Sequence, residues 1–124
     1  MEYFRIIRVT STEQNIQQQL TLSNLNEIST EIFNLGEPSE TEATIGGIWG
    51  EFTLSRSIIK GGIRFSVIEC PNALCWTITT GYAPEPESII IHLTINRQEK
   101  NEEFIEEIVE FLDDICVNLQ HFFK

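Results

Sequence analysis

The stretch "GIRFSVIECPNALCWTITT", residues 62–80, decides the fold because it contains two strand patterns and the turn between them. On either side of Pro71-Asn72, apolar residues alternate with polar ones, which is typical of strands that bury one face. Proline and asparagine suit the second and third positions of a type I turn. We therefore predict a hairpin whose register pairs Val67 with Trp76 and turns both side chains toward the core.

The same alternation continues on both sides of this hairpin. The segments "IWGEFTL" (48–54) and "IIIHLTI" (89–95) also alternate, which makes four successive strand patterns between residues 45 and 96. Earlier in the chain, "YFRIIRV" (3–9) is rich in the aromatic and β-branched residues that strands favour. We therefore predict an antiparallel β-sheet of four to five strands, arranged as a meander with one buried face.

Helical patterns lie before and after this sheet. Residues 101–123 repeat apolar side chains at the helical period, and Asn101 is a suitable cap. Apolar residues three and four apart predict an N-terminal helix over Asn24–Leu35. Ser11–Leu20 starts with capping-box spacing but continues as a polar segment, which leaves its helical character open. We expect the long C-terminal helix and the N-terminal helix to pack on one face of the sheet, forming a single α+β domain over residues 1–124.

The charge of the chain limits its partners. It has 19 acidic and 8 basic side chains, a formal net charge of -11 and a pI near 4.5. Nucleic acids and anionic lipid surfaces are bound through Lys and Arg, so we expect neither nucleic acid nor membrane as a partner. A basic protein, a cation or a neutral small molecule is compatible with this charge.

The sequence also bears on the compartment. The first residues lack the pattern of a signal peptide, and no run of about 18 apolar residues predicts a transmembrane helix. Three cysteines, an odd number, fit a reducing compartment better than a disulfide framework. We therefore expect a cytoplasmic protein.

The cysteines and histidines argue against metal and redox chemistry. Cys70 and Cys75 are separated by four residues and have no second pair, whereas structural zinc needs four ligands and redox sites use Cys-x-x-Cys. Cys75, His92 and Glu51 are predicted to face the same way, but no nucleophile elbow, phosphate loop or zinc-protease motif accompanies them. We predict no metal, no cofactor and no catalytic residue, and the sequence favours a protein that is not an enzyme.

The sheet face opposite the helices is the first candidate binding surface. By strand parity it brings together an aromatic ring, hydroxyls, a carboxylate, a guanidinium and an imidazole. From these we predict a ligand-binding set that consists of Trp49, Glu51, Arg64, Cys75, Thr77 and His92. The alternative is a solvated sheet face, where threonine is frequent because it suits half-exposed strands.

Strand parity also makes two predictions about individual residues. Cys75 is expected on the polar face opposite Ile68, with an accessible thiol. Arg56 would face the core if its strand continued. Either it pairs with a carboxylate at the end of the sheet, or the strand breaks at Ser55-Arg56-Ser57. Since an unpaired buried guanidinium is very costly, we predict the break.

The C-terminal helix supplies the second candidate surface. We predict a docking surface for a basic partner made of Glu103, Glu106, Glu107, Glu110 and Asp114, with a plain solvated helix face as the alternative. The first functional hypothesis is a small binding protein without catalytic activity, such as an immunity- or antitoxin-like inhibitor of a basic enzyme. The second is a small-molecule-binding or enzymatic domain that uses the polar sheet face. A homodimer is compatible with both.

Overall fold

The structure is a computed structural model that describes residues 1–81, 87–96 and 99–123. Seven strands form one sheet: β1 (Glu2–Ile7), β2 (Ile32–Asn34), β3 (Glu42–Gly47), β4 (Phe52–Ile59), β5 (Gly62–Val67), β6 (Cys75–Thr80) and β7 (Ile89–Thr94). The helices are α1 (Glu13–Gln19), α2 (Leu25–Ile28) and α3 (Glu102–Phe122), and a 3₁₀ turn, Leu22–Asn24, precedes α2. The strand order is β1-β7-β6-β5-β4-β3-β2, and every neighbouring pair is antiparallel.

The α+β class, the single antiparallel sheet and the C-terminal helix are confirmed, but the predicted strand number is wrong. The sheet has seven strands rather than four to five, because β2 and β3 form from residues in which no strand was predicted. Strands β2 to β7 follow one another as a meander, and β1 pairs with β7 at the far edge. The chain therefore crosses the width of the sheet between β1 and β2, through α1 and α2.

The predicted helix over Asn24–Leu35 is wrong beyond Ile28. The backbone leaves the helix at Ser29, which is extended with φ -148° and ψ 147°, and Ile32 begins β2. Three of the four apolar residues that suggested a helix are buried nonetheless, since Leu25 and Ile28 are 0% exposed and Ile32 is 4% exposed, whereas Leu35 is 49% exposed. A helix and an extended segment can bury apolar residues of similar spacing, and here pairing with β3 favours the extended segment.

A helix that was not firmly predicted, α1, forms within Ser11–Leu20, the segment whose helical character the sequence left open. Its cap is Thr12, whose Oγ1 accepts a hydrogen bond from the Asn15 N–H at 3.0 Å. Ile16 and Leu20 are fully buried in the same core as the apolar residues of α3. Both helices therefore pack on one face of the sheet.

Arg56 lies on this helix-covered face. Strand β4 runs through it without a break, so the predicted break at residues 55–57 is wrong. The Arg56 Nε donates to the Leu20 carbonyl oxygen at 2.8 Å, and an Nη donates to the Gln17 carbonyl oxygen. The carbonyls at the end of a helix lack helical partners, so the guanidinium caps α1. Burial lowers the pKa of Arg56, and the charge of Glu40 opposes this shift.

Aromatic rings occupy the centre of the core. Trp76 of β6 is 1% exposed, and its ring meets Phe111 of α3 edge to face with the centroids 5.0 Å apart. On the neighbouring strand, the centroid of Phe65 lies 5.5 Å from that of Trp76. The inward parity predicted for Phe65 and Trp76 is confirmed.

The turn at Pro71-Asn72 is confirmed, but the connection it belongs to is longer than predicted. The Ala73 N–H donates to the Cys70 carbonyl oxygen at 3.1 Å across the turn. A second turn precedes it, closed by the Cys70 N–H, which donates to the Val67 carbonyl oxygen at 3.3 Å. Two consecutive turns therefore separate β5 from β6.

The longer connection shifts the strand register. Trp76 pairs with Phe65 rather than with Val67, so the predicted register is wrong by two residues. A shift of one residue would turn every side chain to the other face, but a shift of two keeps each on its predicted face. The inward and outward assignments of β5 and β6 are therefore unaffected.

Candidate functional site

The first candidate site is the sheet face that carries the outward side chains of all seven strands, which we call the open face. The helices share one core on the other face, and no helix of the described ranges lies across this one. One row crosses four strands, since Arg64 pairs with Thr77, Thr77 with His92, and His92 with Phe4. The His92 ring stacks on Phe4 with the centroids 4.2 Å apart, and its Nε2 lies 3.2 Å from a Glu2 carboxylate oxygen.

Cys75 lies in the neighbouring row of the open face. It pairs with Ser66, not with Ile68 as predicted, because of the shifted register. The Ser66 hydroxyl donates to the Cys75 sulfur at 3.6 Å. The thiol of Cys75 and the imidazole of His92 thus have different polar partners, Ser66 and Glu2. This arrangement is not the hydrogen-bonded nucleophile and base that covalent catalysis uses.

Trp49 does not lie with the other predicted ligand-binding residues, so the parity argument is wrong for this side chain. The predicted strand over 48–54 is interrupted by a turn, in which Gly50 takes a positive φ of +107°. Trp49 turns toward α3, where its ring centroid lies 5.2 Å from that of Phe111 and 6.0 Å from that of Phe104. Glu51 is exposed in the segment just before β4.

The open face is more apolar than the sequence suggested. Phe4 and Ile6 on β1 are 55% and 49% exposed. At the opposite end of the sheet, Phe33 and Leu35 lie over Gly46, where an added Cβ would meet the Phe33 ring at 3.0 Å. The sequence reading missed these side chains because it treated β2 as part of a helix and assigned no outward residues to β1.

The second candidate site is a run of carboxylates on the first half of α3, which we call the acidic ridge. It consists of Glu102, Glu103, Glu106, Glu107 and Glu110. Within the described part of the chain, no Lys or Arg forms a salt bridge with any of them. The ion pair that α3 does make joins Arg5 Nε to an Asp113 oxygen at 3.1 Å, beyond the ridge.

Asp114, predicted as a partner-binding residue, is engaged within the fold. Its carboxylate accepts hydrogen bonds from the Ser29 hydroxyl at 2.7 Å, the Thr30 N–H at 2.9 Å, the Thr30 hydroxyl and the Asn118 side chain at 3.0 Å. Burial raises the pKa of Asp114, but the hydrogen bonds from Thr30 and Ser29 outweigh it, so the pKa lies below its ordinary value. Asp114 therefore fixes the segment between α2 and β2 to α3.

No group of three His, Cys, Asp or Glu side chains in the described residues is arranged to hold a metal ion. Across residues 1–81, 87–96 and 99–123, no helix combines the length and the apolar character that crossing a bilayer requires.

Comparison with known proteins identifies the fold. No protein-family model matches the chain, and no curated protein matches it. Among solved structures, the chain is similar to an uncharacterised protein from Bacillus thuringiensis, with a TM-score of 0.66 and 13% identity over 99% of this chain and 98% of that one. It is also similar to the protein XoxI from Bacillus cereus, with a TM-score of 0.63 and 13% identity over 98% of this chain and 94% of that one. At this level of identity, the likeness shows a shared fold alone.

Proposed function

We propose that this chain is a small binding protein without catalytic activity that acts by association with a basic protein. The acidic ridge supports this proposal, because its five carboxylates have no cationic partner in the described residues. An inhibitor that blocks a basic enzyme is one function of this kind. The net charge of -11 would steer such a partner toward the chain over long distances.

The ridge is electrostatically unfavourable in the isolated chain. Glu102 and Glu103 benefit from the positive end of the helix dipole, but this effect does not extend past the first turn. Glu106 follows Glu102 and Glu110 follows Glu106 at the i, i+4 spacing, where each pair of like charges costs about 0.2–0.5 kcal/mol. A basic partner would remove this repulsion and add charge pairs of its own.

The test compares two triple variants of equal charge. The ridge variant is Glu103→Gln/Glu106→Gln/Glu110→Gln, and the control is Glu27→Gln/Glu37→Gln/Glu42→Gln, whose glutamates are exposed elsewhere. Each changes the formal net charge from -11 to -8. The wild type and both variants are immobilised and exposed to cell lysate at about 50 mM salt, and bound protein is eluted at about 500 mM salt. The captured protein is then purified and titrated with the wild type and with each variant.

We expect the wild type and the control to bind a basic protein that high salt releases, and the ridge variant to bind it at least about tenfold more weakly. Electrostatic complementarity at a defined surface predicts this difference, whereas bulk charge does not. Equal weakening in both variants, or a captured protein that is not basic, would count against docking through the ridge.

The second candidate function is binding of a small ligand or of a second copy on the open face. It is favoured by a shallow depression beside the stacked His92 and Phe4, lined also by Thr77, Thr79 and Ile90. We propose a direct test by sedimentation of the wild type and of Phe4→Glu. A dimer that this variant dissociates would assign the face to self-association, while a monomer in both would leave it to a ligand.

A further inference from the structure

A cavity of about 210 Å³ lies between the first half of α3 and the sheet. Its lining is mostly large and apolar, and includes Trp49, Trp76, Phe104, Phe111, Ile45 and Leu74. No Asp, Glu, Lys, Arg or His of the described residues lines it. Gly50 and Pro71, which also line the cavity, are exposed and mark where it reaches the surface.

The cavity is too large for an ordinary packing defect. Protein interiors hold few voids larger than a water molecule, because side chains interdigitate at crystal-like density. An apolar cavity of about 150 Å³ already accepts benzene. Pockets for drug-sized ligands start at roughly 300 Å³, so the space suits a single substituted ring.

Two hydrogen-bond donors at this site have no partner. The Nε1 atoms of Trp49 and Trp76 are buried and unpaired, and both rings line the cavity. A buried indole N–H usually finds an acceptor, and an unpaired one destabilises the fold. A ligand with one acceptor atom would give one of these donors a partner after a small movement of the ring.

We propose that this cavity binds a small uncharged molecule that consists of one ring and a hydrogen-bond acceptor. A charged group would lose its hydration without gaining a counter-ion in this lining, which excludes anions and cations. The site is separate from the acidic ridge, and nothing in the proposed docking function depends on it.

Three probes of similar size test separately whether the ligand must be uncharged and whether it must carry a hydrogen-bond acceptor. Acetophenone is uncharged and carries a carbonyl acceptor, cumene has nearly the same shape without an acceptor, and benzoate has the same ring with a negative charge. The chain has two tryptophans, and both line the cavity, so their two indole N–H resonances in ¹H–¹⁵N NMR spectra report binding directly.

Acetophenone is expected to move an indole resonance downfield in a saturable way, and benzoate to bind at least about tenfold more weakly. Cumene is expected to bind more weakly than acetophenone and to cause no downfield shift. The absence of saturable binding by acetophenone would overturn the proposal, as would equal binding of benzoate. Equal affinity for cumene would overturn the assignment of an acceptor.

Val67 lines the cavity, so Val67→Phe should fill part of it and weaken acetophenone binding at least about tenfold. Val117→Phe makes the same change at an exposed position of α3 and should bind as the wild type does. Undiminished binding to a folded Val67→Phe protein would place the ligand elsewhere and overturn the proposal.

A measurement on the wild type covers the case in which Val67→Phe does not fold. Cys70 lines the cavity and Cys75 lies on the open face. Bound acetophenone should slow the modification of Cys70 by methyl methanethiosulfonate and leave that of Cys75 unchanged. Mass spectrometry measures both rates, and equal rates for Cys70 with and without acetophenone would overturn the proposal.

Discussion

Replacing Asp114 by asparagine tests whether one carboxylate holds the segment between α2 and β2 in place. The Asp114 oxygens accept hydrogen bonds from Ser29, Thr30 and Asn118, and Ser29 is 2% exposed. Asp114→Asn keeps the size of the side chain but leaves one oxygen to accept. We expect the free energy of unfolding to fall.

The size of the effect can be worked from these contacts. Hydrogen bonds to a charged group contribute about 1.5–3 kcal/mol each, and partial exposure of the carboxylate reduces this value. With one acceptor kept, we expect Asp114→Asn to cost about 2 kcal/mol. An unfolding entropy of about 2.1 cal/mol/K per residue over 124 residues converts this into a fall in Tm of about 8 °C.

The loss of stability caused by Asp114→Asn should also depend on pH. The folded pKa of Asp114 lies below its ordinary value, so its stabilisation is present above the unfolded pKa of about 3.9 and is lost as the pH falls through the folded pKa. The difference in stability between wild type and Asp114→Asn should therefore be constant from about pH 8 to pH 5 and should shrink below about pH 4. Urea denaturation at a series of pH values measures it.

Asp113→Asn is the matched control. Asp113 is exposed and pairs with Arg5 at 3.1 Å, and surface ion pairs contribute at most about 1 kcal/mol. If Asp114→Asn costs no more than Asp113→Asn at pH 7, the structural role of Asp114 is refuted. A difference that does not change between pH 7 and pH 3 would refute the electrostatic part of the reasoning.

Three further predictions concern the fold around these sites. Arg56→Met should cost about 2 kcal/mol in urea denaturation, because two carbonyls at the end of α1 lose their donor, and it should speed amide hydrogen exchange in α1. Gly62→Ala should lower the free energy of unfolding by about 3 kcal/mol or more, since the new Cβ would lie 2.0 Å from the Ile78 carbonyl oxygen. The control is Gly36→Ala, whose Cβ would have no atom within 4 Å and which should change stability by less than about 0.5 kcal/mol. Because burial raises the pKa of the Cys116 thiol, iodoacetamide at pH 8 should modify it at least about tenfold more slowly in native protein than in urea, as measured by mass spectrometry.

Alternation along β5 and β6 was sufficient to predict their faces but not the extent of the sheet. Phe65 and Trp76 lie inward as predicted, because side-chain parity depends only on the strand itself. The edge strand β2 could not be predicted in this way, since it has three residues and its apolar spacing fits a helix equally well. Its extended conformation depends on pairing with β3. Such pairing with a distant strand cannot be read from the apolar spacing of β2 itself.

The sequence also could not show which carboxylates of α3 are engaged within the fold. Glu106, Glu110 and Asp114 follow one another at the i, i+4 spacing, so the sequence presents them as one acidic stripe. Asp114 differs only because Ser29 and Thr30, some 85 and 84 residues earlier in the chain, donate hydrogen bonds to it. Because of these hydrogen bonds, Asp114 has a structural role. Glu106 and Glu110 have no cationic partner among the described residues. The charge pattern of the sequence therefore predicts an acidic helix face. The contacts of each carboxylate in the structure determine which carboxylates remain available to bind a partner.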